Sequence, residues 1–458
     1  MIRDFDFEGK RFFFCGICGS SMLGIAYLCK NHGASVMGSD TCATDESIRF
    51  LRENGIPIFF SHEKENVKGC DVFVYTAAIS NDNPELIYAL QSGMTVLKRS
   101  ELLGAIVSRS GISVGASGTH GKSTVTHLIG EILSKNELSP TVIAGAKRSD
   151  GKGSVISGAG NITVYEACEY SRSFLDTKPR IAVILNVEWE HVDTYPTLND
   201  AEEAYFEFAK GSQACVINLD CPVCRRIGER LRNIGVAVYS YSTITPEADA
   251  YASILTSDLG RARLDIIFKD GERIDEIKTK LIGAHNASNI LAASLAARLC
   301  GARELRSGLE SFCGLKRRME YLGSVNGSPV YDDYAHHPTE IRATLTSVRA
   351  LGYERIICAF QPHTYSRTAA FFDEFCKAFS LADEVLIADV YGARKESTYS
   401  VDSRALALRC KNGKYIQKSS DMLKYLRASS NPQTLILTLG AGKMDQIGKA
   451  LVSGADDE

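Results

Sequence analysis

A glycine-rich turn followed by Lys and Ser lies at residues 118–123, within the stretch GASGTHGKSTVTHLIGEILSK (115–135). Glycine lets backbone N–H groups approach a phosphate, lysine supplies charge for the outer phosphates of a triphosphate, and a serine hydroxyl suits Mg²⁺. An apolar, strand-like run precedes the turn, and apolar residues with helical spacing follow it: Val125, Leu128, Ile129, Ile132 and Leu133. The common pattern, GxxxxGK followed by Ser or Thr, has glycine where this chain has Ala116. We name residues 118–123 the phosphate turn; they predict an ATP site, with a purely structural strand-to-helix turn as the alternative.

A second glycine turn, within CGICGSSMLG at residues 15–24, also separates an apolar run from a helix-like segment. Its Gly16 and Gly19 are typical of a dinucleotide-binding fingerprint, although Cys18 replaces the second glycine of that pattern. Asp40 follows about 20 residues later, where a ribose-binding carboxylate is expected. This N-terminal turn predicts a binding site for a nucleotide diphosphate, either NAD-like or a nucleotide sugar. Because the turn has no lysine, we do not expect it to promote phosphate transfer. A Rossmann-like packing turn without a ligand is the alternative.

Polar side chains follow two later apolar runs. Glu166 and Glu169 end the run NITVYEACEY, and Asn186, Glu188 and His191 lie at and after the end of RIAVILN. The carboxyl ends of parallel strands form the ligand-binding edge of an α/β sheet, and Mg²⁺ prefers oxygen ligands. The carboxylates and His191 are therefore candidate metal ligands near the phosphate turn. For His191, a satisfied surface histidine is the alternative.

Histidine and arginine cluster in the last third of the chain. YDDYAHHPTE contains Asp333, His336 and His337, and FQPHTYSRT contains His363 and Arg367. Adjacent histidines suit a transition metal, but no third ligand stands at a convincing spacing. Arginine binds phosphate or carboxylate groups through two hydrogen bonds, so this cluster is a candidate for contact with an anionic substrate. A solvated basic face is the alternative.

Strand-like and helix-like segments alternate along almost the whole chain, which predicts an α/β protein with parallel sheets. Changes in this pattern divide it into three predicted α/β domains, at 1–107, 108–314 and 315–458, the second of which contains the phosphate turn. The middle domain includes a more β-rich stretch at 236–283. Clustered basic residues and the hairpin-like SVNGSPVY mark the start of the last domain.

With 458 residues, 45% of them apolar, and a net charge of −3, the chain is typical of a multidomain globular protein. The sequence has no excess of basic residues that would indicate nucleic acid as a partner. It also has no apolar run of about 18 residues that would indicate membrane insertion. We expect a cytoplasmic protein, either a monomer or a homodimer. Its 14 cysteines include two CxxC pairs, Cys15/Cys18 and Cys221/Cys224, too far apart for a zinc ribbon. We interpret them as small core residues without metal or redox chemistry.

Together the motifs resemble the Mur ligases, the ATP-dependent amide-forming enzymes of peptidoglycan synthesis. The resemblance runs from about residue 12 to residue 448 and is carried by GTHGKST, EACEY, NVEWEHVDTY, GAHNASNILAA, KRRMEYLG, YDDYAHHPTEIRATL and FQPHTYSRT. The family's own phosphate turn accepts alanine at position 116. Within the family, the motifs are most similar to the branch that adds L-alanine.

This resemblance implies that residues 1–107 form a Rossmann-like domain for a UDP-linked substrate and that residues 108–314 form a central P-loop, mononucleotide-binding ATPase-like domain. It implies that residues 315–458 form a second Rossmann-like domain, which receives an amino acid. It also implies that ATP phosphorylates the lactoyl carboxylate of UDP-N-acetylmuramate and that L-alanine attacks the resulting acyl phosphate. The products would be an amide, ADP and phosphate, and the implied cofactors are ATP and Mg²⁺. This chemistry suits the residues, because the developing phosphate charge needs lysine, Mg²⁺ and arginine nearby.

The resemblance also assigns roles to particular residues. The implied ATP-binding residues are Gly118, Thr119, His120, Gly121, Lys122, Ser123, Thr124, His285, Asn289, Arg318 and Asp333. The implied UDP-substrate-binding residues are Gly16, Ile17, Gly19, Ser39, Asp40 and Asn186. The implied magnesium ligands are Ser123, Glu166 and His191, and the residues implied around the amino acid are His337, His363 and Arg367. Those that would act in catalysis are Lys122, Glu166, His191, His337 and Arg367.

Departures from the family pattern leave other functions open. The GICG turn also occurs in a recycling ligase that attaches a whole peptide, whereas FQPHTYSRT favours the enzyme that attaches one amino acid. The segment 391–403 is irregular against the family, so its role in recognising the amino acid stays open. A nucleotide-binding regulator without ligase activity is the alternative from another class. A dehydrogenase built on the N-terminal turn would leave the Mg²⁺-suited phosphate turn unexplained.

Overall fold

We describe the protein from a computed structural model, which covers residues 7–76, 78–192, 194–258, 261–392 and 401–454. Most of the irregular segment at 391–403 therefore lies outside the described residues. Within the described ranges, no helix has both the length and the apolar character needed to cross a membrane.

The chain divides into two compact units. The first comprises Met1–Ser253, Asp265–Ile277 and Ser288–Phe312, and the second comprises Ile254–Leu264, Lys278–Ala287 and Cys313–Glu458. The predicted domain boundaries near residues 107 and 314 stay a prediction.

The N-terminal part folds as an open parallel sheet with helices between its strands. Its elements are β1 (Arg11–Cys15), α1 (Ser20–Asn31), β2 (Ser35–Ser39), α2 (Asp45–Glu53), β3 (Ile58–Phe59), β4 (Val72–Tyr75), α3 (Pro84–Gln91), β5 (Thr95–Lys98) and α4 (Arg99–Ser108). The strand order is β3-β2-β1-β4-β5. Residues 12–15 of β1 are buried because both faces of the sheet are covered. The strand order reverses at β1, because the chain continues to β2 on one side of it and returns to β4 on the other. The carboxyl end of the strand at such a reversal is the usual ligand position in open parallel sheets.

The middle part contains a larger sheet. Its elements are β6 (Ile112–Ser117), α5 (Lys122–Lys135), β7 (Thr141–Ile143), β8 (Val155–Ile156), β9 (Ile162–Glu166), β10 (Ile181–Ile184), α6 (Leu198–Ala209), β11 (Ala214–Asn218), α7 (Pro222–Asn233), β12 (Ala237–Ser242), β13 (Ala250–Asp258), β14 (Arg261–Phe268), β15 (Arg273–Thr279), α8 (Ala284–Leu299) and α9 (Arg306–Ser311). The strand order is β15-β14-β13-β12-β11-β10-β6-β9-β7-β8. The β-rich stretch predicted at 236–283 is confirmed as β12 to β15, and antiparallel pairing of β7 with β8 makes the sheet mixed.

The register of this sheet determines which strand ends meet. On one side of β6, Ala116 pairs with Glu166 of β9, and on the other side Ser117 pairs with Ile184 of β10. All three strands run parallel, so the residues that follow them leave the sheet at one edge. The helix after β6 confirms the predicted spacing, since Val125 and its apolar partners along α5 are fully buried.

The C-terminal part is again a largely parallel sheet. Its elements are β16 (Glu320–Val325), β17 (Ser328–Asp333), α10 (Pro338–Arg349), β18 (Arg355–Phe360), α11 (Tyr365–Ala370), α12 (Phe372–Ala378), β19 (Glu384–Ile387), α13 (Ser403–Arg409), β20 (Gly413–Tyr415), α14 (Ser419–Ser429), β21 (Thr434–Leu439) and α15 (Met444–Ser453). The strand order is β16-β17-β21-β18-β19-β20. The predicted hairpin is confirmed: β16 and β17 are antiparallel and joined by Asn326 and Gly327, both with positive φ, as a tight hairpin turn requires.

A buried arginine joins the loop after β7 to helix α5. The Arg148 side chain is 1% exposed, and its guanidinium lies 2.8 Å from the Glu131 carboxylate on α5 and 2.6 Å from Asp150. It also lies 5.2 Å from the ring centre of Phe312. Hydrogen bonds from Arg148 outweigh the effect of burial and lower the pKa of Asp150 to about 2. This network fastens the loop to the helix that begins in the phosphate turn.

Replacing Arg148 with Met should lower the free energy of unfolding by about 3 kcal/mol, because the buried Glu131 carboxylate would lose its closest cation, at 2.8 Å. Lys152→Met is the matched control. Lys152 lies 3.7 Å from the same carboxylate but is 55% exposed, so its loss should cost less than about 1 kcal/mol. Urea unfolding followed by fluorescence of Trp189, the single tryptophan, measures both. Equal effects of the two substitutions would contradict a special role for the buried arginine.

Candidate functional site

The phosphate turn leaves β6 after Ser117 and enters α5 at Lys122. Gly121 has a φ of +86°, a left-handed conformation that glycine adopts at little cost. A Cβ atom at this position would lie 2.5 Å from Oδ1 of Asn289 on α8. The glycine is therefore required by the backbone conformation and by the neighbouring side chain. His285, which the family resemblance also implies for ATP binding, lies one helical turn before Asn289 in the sequence of α8.

The segment after β10 holds the phosphate turn through Asn186. The Asn186 carbonyl accepts the Thr119 N–H at 3.0 Å. Its side chain accepts the His120 N–H at 2.7 Å and donates to the His120 carbonyl at 3.1 Å. The backbone N–H of Glu188 donates a hydrogen bond to the Thr119 hydroxyl at 2.9 Å. Asn186 therefore positions the turn, and the contact with the UDP-substrate implied for it stays a prediction.

Lys122 is a partly buried cation of the site. Its Nζ donates to the carbonyl oxygens of Gly118 at 2.6 Å and Thr119 at 3.1 Å, and it lies 2.9 Å from Oε2 of Glu169. Burial lowers the pKa of Lys122, but nearby negative charge, that of Glu169 above all, more than offsets this, so its pKa is raised. Burial raises the pKa of Glu169, but Lys122 and His191 outweigh it and lower that pKa. Both groups are therefore charged.

An oxygen pair suited to Mg²⁺ lies at the start of α5. The Ser123 hydroxyl donates to Oε2 of Glu166 at 2.6 Å, and the Gly145 N–H donates to the same oxygen at 2.7 Å. Hydroxyl and carboxylate oxygens are hard donors, as Mg²⁺ requires. The structure thus brings together two of the three implied magnesium ligands, and the donor set is compatible with this ion.

His191, the third implied magnesium ligand, contacts the ion pair of Lys122. Its Nε2 lies 3.3 Å from Oε1 of Glu169, and its ring centre lies 4.9 Å from that of Tyr170. His191 has a φ of +53°, which is uncommon for a side chain of this size. The ring is held against Glu169, so its role as a magnesium ligand with Glu166 stays a prediction.

The N-terminal turn connects β1 to α1 and is held by β2. The N–H groups of Gly16 and Ile17 donate to the Ser39 carbonyl at 2.8 and 3.0 Å. The Asp40 carboxylate accepts the Cys18 N–H at 2.9 Å, and the Ser39 hydroxyl, fully buried, donates to Glu85 at 2.6 Å. Gly19 then forms the start of α1. The residues implied for the UDP-substrate therefore lie together, apart from Asn186.

In the second unit, Asp333 lies within the motif YDDYAHHPTEIRATL and Arg318 within KRRMEYLG. The buried Asp333 carboxylate accepts the N–H groups of Met319 and Ala335, each at 2.8 Å. Burial raises the pKa of Asp333 to about 6, although the charge of Arg318 and these hydrogen bonds oppose the shift. The Arg318 guanidinium lies 3.6 Å from Glu340. Asp333 therefore titrates near neutral pH in the folded protein.

The residues implied around the amino acid lie on two elements of the second unit. His337 begins α10, where its Nδ1 accepts the Thr339 N–H at 3.3 Å, and it is 4% exposed. His363 and Arg367 are brought together, with Nδ1 and Nη1 3.3 Å apart. The rings of His336 and His363 lie 5.8 Å apart, edge to face. His363 and Arg367 therefore form one cluster, with His336 beside it.

Sequence reasoning missed three features of the site. Glu169 is recognised as a strand-end carboxylate, but its pairing with Lys122 is not predicted. The amide of Asn186 is assigned to a different ligand, although its place directly after an apolar strand next to the phosphate turn is a usable signal. The Gly145 N–H on Glu166 comes from a loop without any sequence motif, so no signal in the sequence indicates it.

Asp333→Asn should change how stability depends on pH. The folded pKa of Asp333, about 6, exceeds the unfolded value near ~4. The stabilisation of the folded protein by protonated Asp333 is therefore fully present below about pH 4, and it is lost as the pH rises through about 6. Between these limits wild type should lose on the order of 3 kcal/mol relative to the variant. Scanning calorimetry from pH 4.5 to 7.5 measures this, with Asp373→Asn on the surface as control. Parallel pH profiles of wild type and Asp333→Asn would contradict it.

Comparison with known proteins places the chain in a family. Three family models match it: "Mur ligase family, catalytic domain" at residues 11–110, "Mur ligase middle domain" at 116–297, and "Mur ligase, glutamate ligase domain" at 317–442. The UDP-N-acetylmuramate–L-alanine ligase of Caldicellulosiruptor saccharolyticus is 38% identical, with 95% of this chain and 97% of that protein covered. The enzyme of the same name from Acetivibrio thermocellus is 37% identical, with 96% and 95% covered.

Solved structures of two ligases superimpose on nearly the whole of this chain. The UDP-N-acetylmuramate–alanine ligase of Thermotoga maritima superimposes with a TM-score of 0.81 at 25% identity, covering 97% of this chain and 99% of that one. A murein peptide ligase from Psychrobacter arcticus superimposes with a TM-score of 0.70 at 22% identity, covering 98% and 99%, and supports the fold alone. The α/β fold, the phosphate turn and the near full-length matches lead to one conclusion: this chain belongs to the Mur ligase family.

Proposed function

We propose that the protein is an ATP-dependent ligase that joins L-alanine to the lactoyl carboxylate of UDP-N-acetylmuramate in peptidoglycan synthesis. The observation that carries this proposal is a charged, partly buried Lys122 beside the oxygen pair of Ser123 and Glu166. Such a set can bind and polarise a triphosphate. Near full-length identity of 37–38% to two ligases of this specificity supports the choice of substrates.

The first chemical step activates the carboxylate. Its oxygen attacks the γ-phosphorus of ATP, the bond from that phosphorus to the bridging oxygen breaks, and ADP leaves. Lys122 stabilises the negative charge that spreads over the transferring phosphoryl group. Asn186 fixes the backbone of Thr119 and His120, so the N–H groups of the phosphate turn are oriented before the ligand arrives.

Magnesium would be held by Ser123 and Glu166, with His191 as the implied third ligand. Bound there, Mg²⁺ would neutralise phosphate charge and act as a Lewis acid. The chain's own part is to orient these oxygens. The hydrogen bond from Gly145 to Glu166 keeps the carboxylate pointing at the start of α5.

The second step forms the amide. The amine of L-alanine attacks the carbonyl carbon, the bond to the phosphate oxygen breaks, and phosphate leaves as the amine loses a proton. The amine of free L-alanine is protonated at neutral pH and must lose a proton before it can attack. His337, His363 and Arg367 are the residues proposed to surround the amino acid, and Arg367 supplies a cation suited to a carboxylate.

The UDP part of the substrate is proposed to bind at the N-terminal turn. The backbone N–H groups at the start of α1 suit a diphosphate, and this turn has no lysine that could promote phosphate transfer. Binding and transfer are therefore assigned to different turns. Arg318 and Asp333 in the second unit remain proposed contacts of ATP.

The deciding experiment measures phosphate release from Mg·ATP and UDP-N-acetylmuramate with L-alanine, with the free tripeptide and with no amine. We expect release only with L-alanine, with a mass gain of one alanine residue on the sugar nucleotide. Release with tripeptide alone would assign the protein to the recycling branch. No release with either would favour a nucleotide-binding protein without ligase activity.

Lys122→Ala should reduce turnover by about 10²-fold or more, because a charged contact with the transferring phosphoryl group is lost. Lys135→Ala, at the far end of the same helix, is the control and should leave turnover unchanged. Since Lys122→Ala strands the buried Glu169 carboxylate, the double variant Lys122→Ala/Glu169→Gln separates misfolding from lost catalysis. Near-normal turnover in a folded variant would overturn the assigned role.

Asn186→Ala distinguishes the two roles considered for this residue. If Asn186 positions the phosphate turn, the Kd for Mg·ATP should rise about tenfold, since two hydrogen bonds worth about 0.5–1.5 kcal/mol each are lost. The KM for UDP-N-acetylmuramate should not change. Asn161→Ala, which removes a similar backbone contact at the opposite end of β6, is the control. The reverse pattern, with UDP-substrate affinity alone reduced, would support the role implied by the family resemblance.

A further inference from the structure

A thiol, an imidazole and a carboxylate come together at the carboxyl end of β1, beside the N-terminal turn. Cys15 ends β1, and Glu85 lies in the first turn of α3. His62 follows β3. The Cys15 sulfur, a ring nitrogen of His62 and a carboxylate oxygen of Glu85 all lie within 4.8 Å of one another. The fold therefore collects three metal-binding side chains that are far apart in the sequence.

The spacing of the donor atoms is close to that of a tetrahedral zinc site. Nδ1 of His62 lies 3.7 Å from the Cys15 sulfur and 2.9 Å from Oε2 of Glu85. The hydroxyl oxygen of Ser39, at the end of β2, lies 3.0 Å from the same Nδ1 and 2.6 Å from the same Oε2. With bonds of about 2.3 Å to sulfur and about 2.0–2.2 Å to nitrogen and oxygen, the ligand atoms of tetrahedral zinc stand about 3.3–3.6 Å apart. Side-chain shifts of less than about 1 Å would therefore make room for the ion.

Glu85 is a buried carboxylate without a lysine or arginine partner. Its side chain is 0% exposed, and among the described residues the one basic group within ion-pair distance is His62, which is charged only when protonated. Buried charges in proteins are normally paired with an opposite charge or bound to a metal. A divalent cation would supply a permanent positive charge here, and the Cys15 thiolate and the Glu85 carboxylate would together balance it.

The second oxygen of the Glu85 carboxylate is held by its surroundings. Oε1 accepts the Asn66 side-chain amide at 3.0 Å and the Glu63 N–H at 3.3 Å. These contacts leave Oε2 directed at His62 and Ser39. Hydrogen bonds that fix the orientation of a ligating side chain are typical of metal sites.

We propose that Cys15, His62 and Glu85 bind one Zn²⁺ ion, with the Ser39 hydroxyl oxygen beside the fourth position. Thiolate, imidazole and carboxylate groups are the usual zinc ligands of proteins, whereas Mg²⁺ prefers oxygen ligands alone. On binding, the Cys15 thiol releases its proton to solvent, because the thiolate is the ligand. Cys18, the other cysteine of this CxxC pair, lies outside the cluster. The proposal does not depend on the proposed ligase activity.

The test uses full-length protein freed of metal by a chelator and kept in excess Mg²⁺, which suppresses zinc binding at sites made of oxygen ligands. Titration with Zn²⁺ against a chromophoric chelator should show one tightly bound equivalent. The Tm should rise with zinc, because the ion binds the folded state. Co²⁺ in place of Zn²⁺ should give the charge-transfer absorption of a thiolate–cobalt bond. Absence of zinc binding, or cobalt binding without this absorption, would overturn the proposal.

Variants assign the site. Cys15→Ser should weaken zinc binding by about 10²-fold or more, because changes to groups that merely support a ligand already cost about 10–100-fold. Cys18→Ser is the matched control and should bind zinc as the wild type does. Since a buried serine can disturb folding, Glu85→Gln is the second variant: it keeps the side-chain shape and removes the charge. Circular dichroism checks that each variant is folded. Wild-type zinc affinity in folded Cys15→Ser or Glu85→Gln would contradict the assigned ligands.

Discussion

The parallel register of β9, β6 and β10 is the constraint on which the candidate site depends. Ala116 stands opposite Glu166, and Ser117 stands opposite Ile184, so three chain segments leave the sheet at one edge. One segment becomes the phosphate turn, another carries Glu166 and Glu169, and the third carries Asn186 and His191. A shift of one residue in the β6–β9 pairing would turn alternate side chains to the opposite face and separate the Ser123 hydroxyl from the Glu166 carboxylate.

The charges at this edge are paired inside the protein. Glu169 is buried, Lys122 is partly buried and both are charged, and an ion pair with a buried carboxylate is costly to break from one side. His191 and the side chain of Tyr195 add further contacts to Glu169, since the Tyr195 hydroxyl donates to the backbone carbonyl of Glu169 at 2.7 Å. The phosphate turn is therefore held in shape by this ion pair together with the hydrogen bonds of Asn186, while the N-terminal turn is held by backbone hydrogen bonds to Ser39 and by Asp40.

Much of the fold could be predicted from the sequence because the signals are local. Apolar runs predict strands β1, β6, β9 and β10, helical spacing predicts α5, and Asn-Gly predicts the hairpin at 326–327. The partners of the site residues could not be predicted in the same way. Lys122 and Glu169, or His120 and Asn186, are separated by many residues and meet only because strand order and register bring them together. Arg148 is a further case, since nothing in its local sequence indicates that a charged side chain is fully buried.

The Lys122 ammonium group already has three oxygen partners, two from the phosphate turn and one from Glu169. An incoming phosphate must therefore displace oxygens of the protein itself, and the net gain is the difference between two sets of contacts. A ligand with little negative charge gains nothing by this exchange, whereas a triphosphate does. The phosphate turn therefore selects for ligands with several negative charges, because every nucleotide has to displace the protein's own oxygens from Lys122.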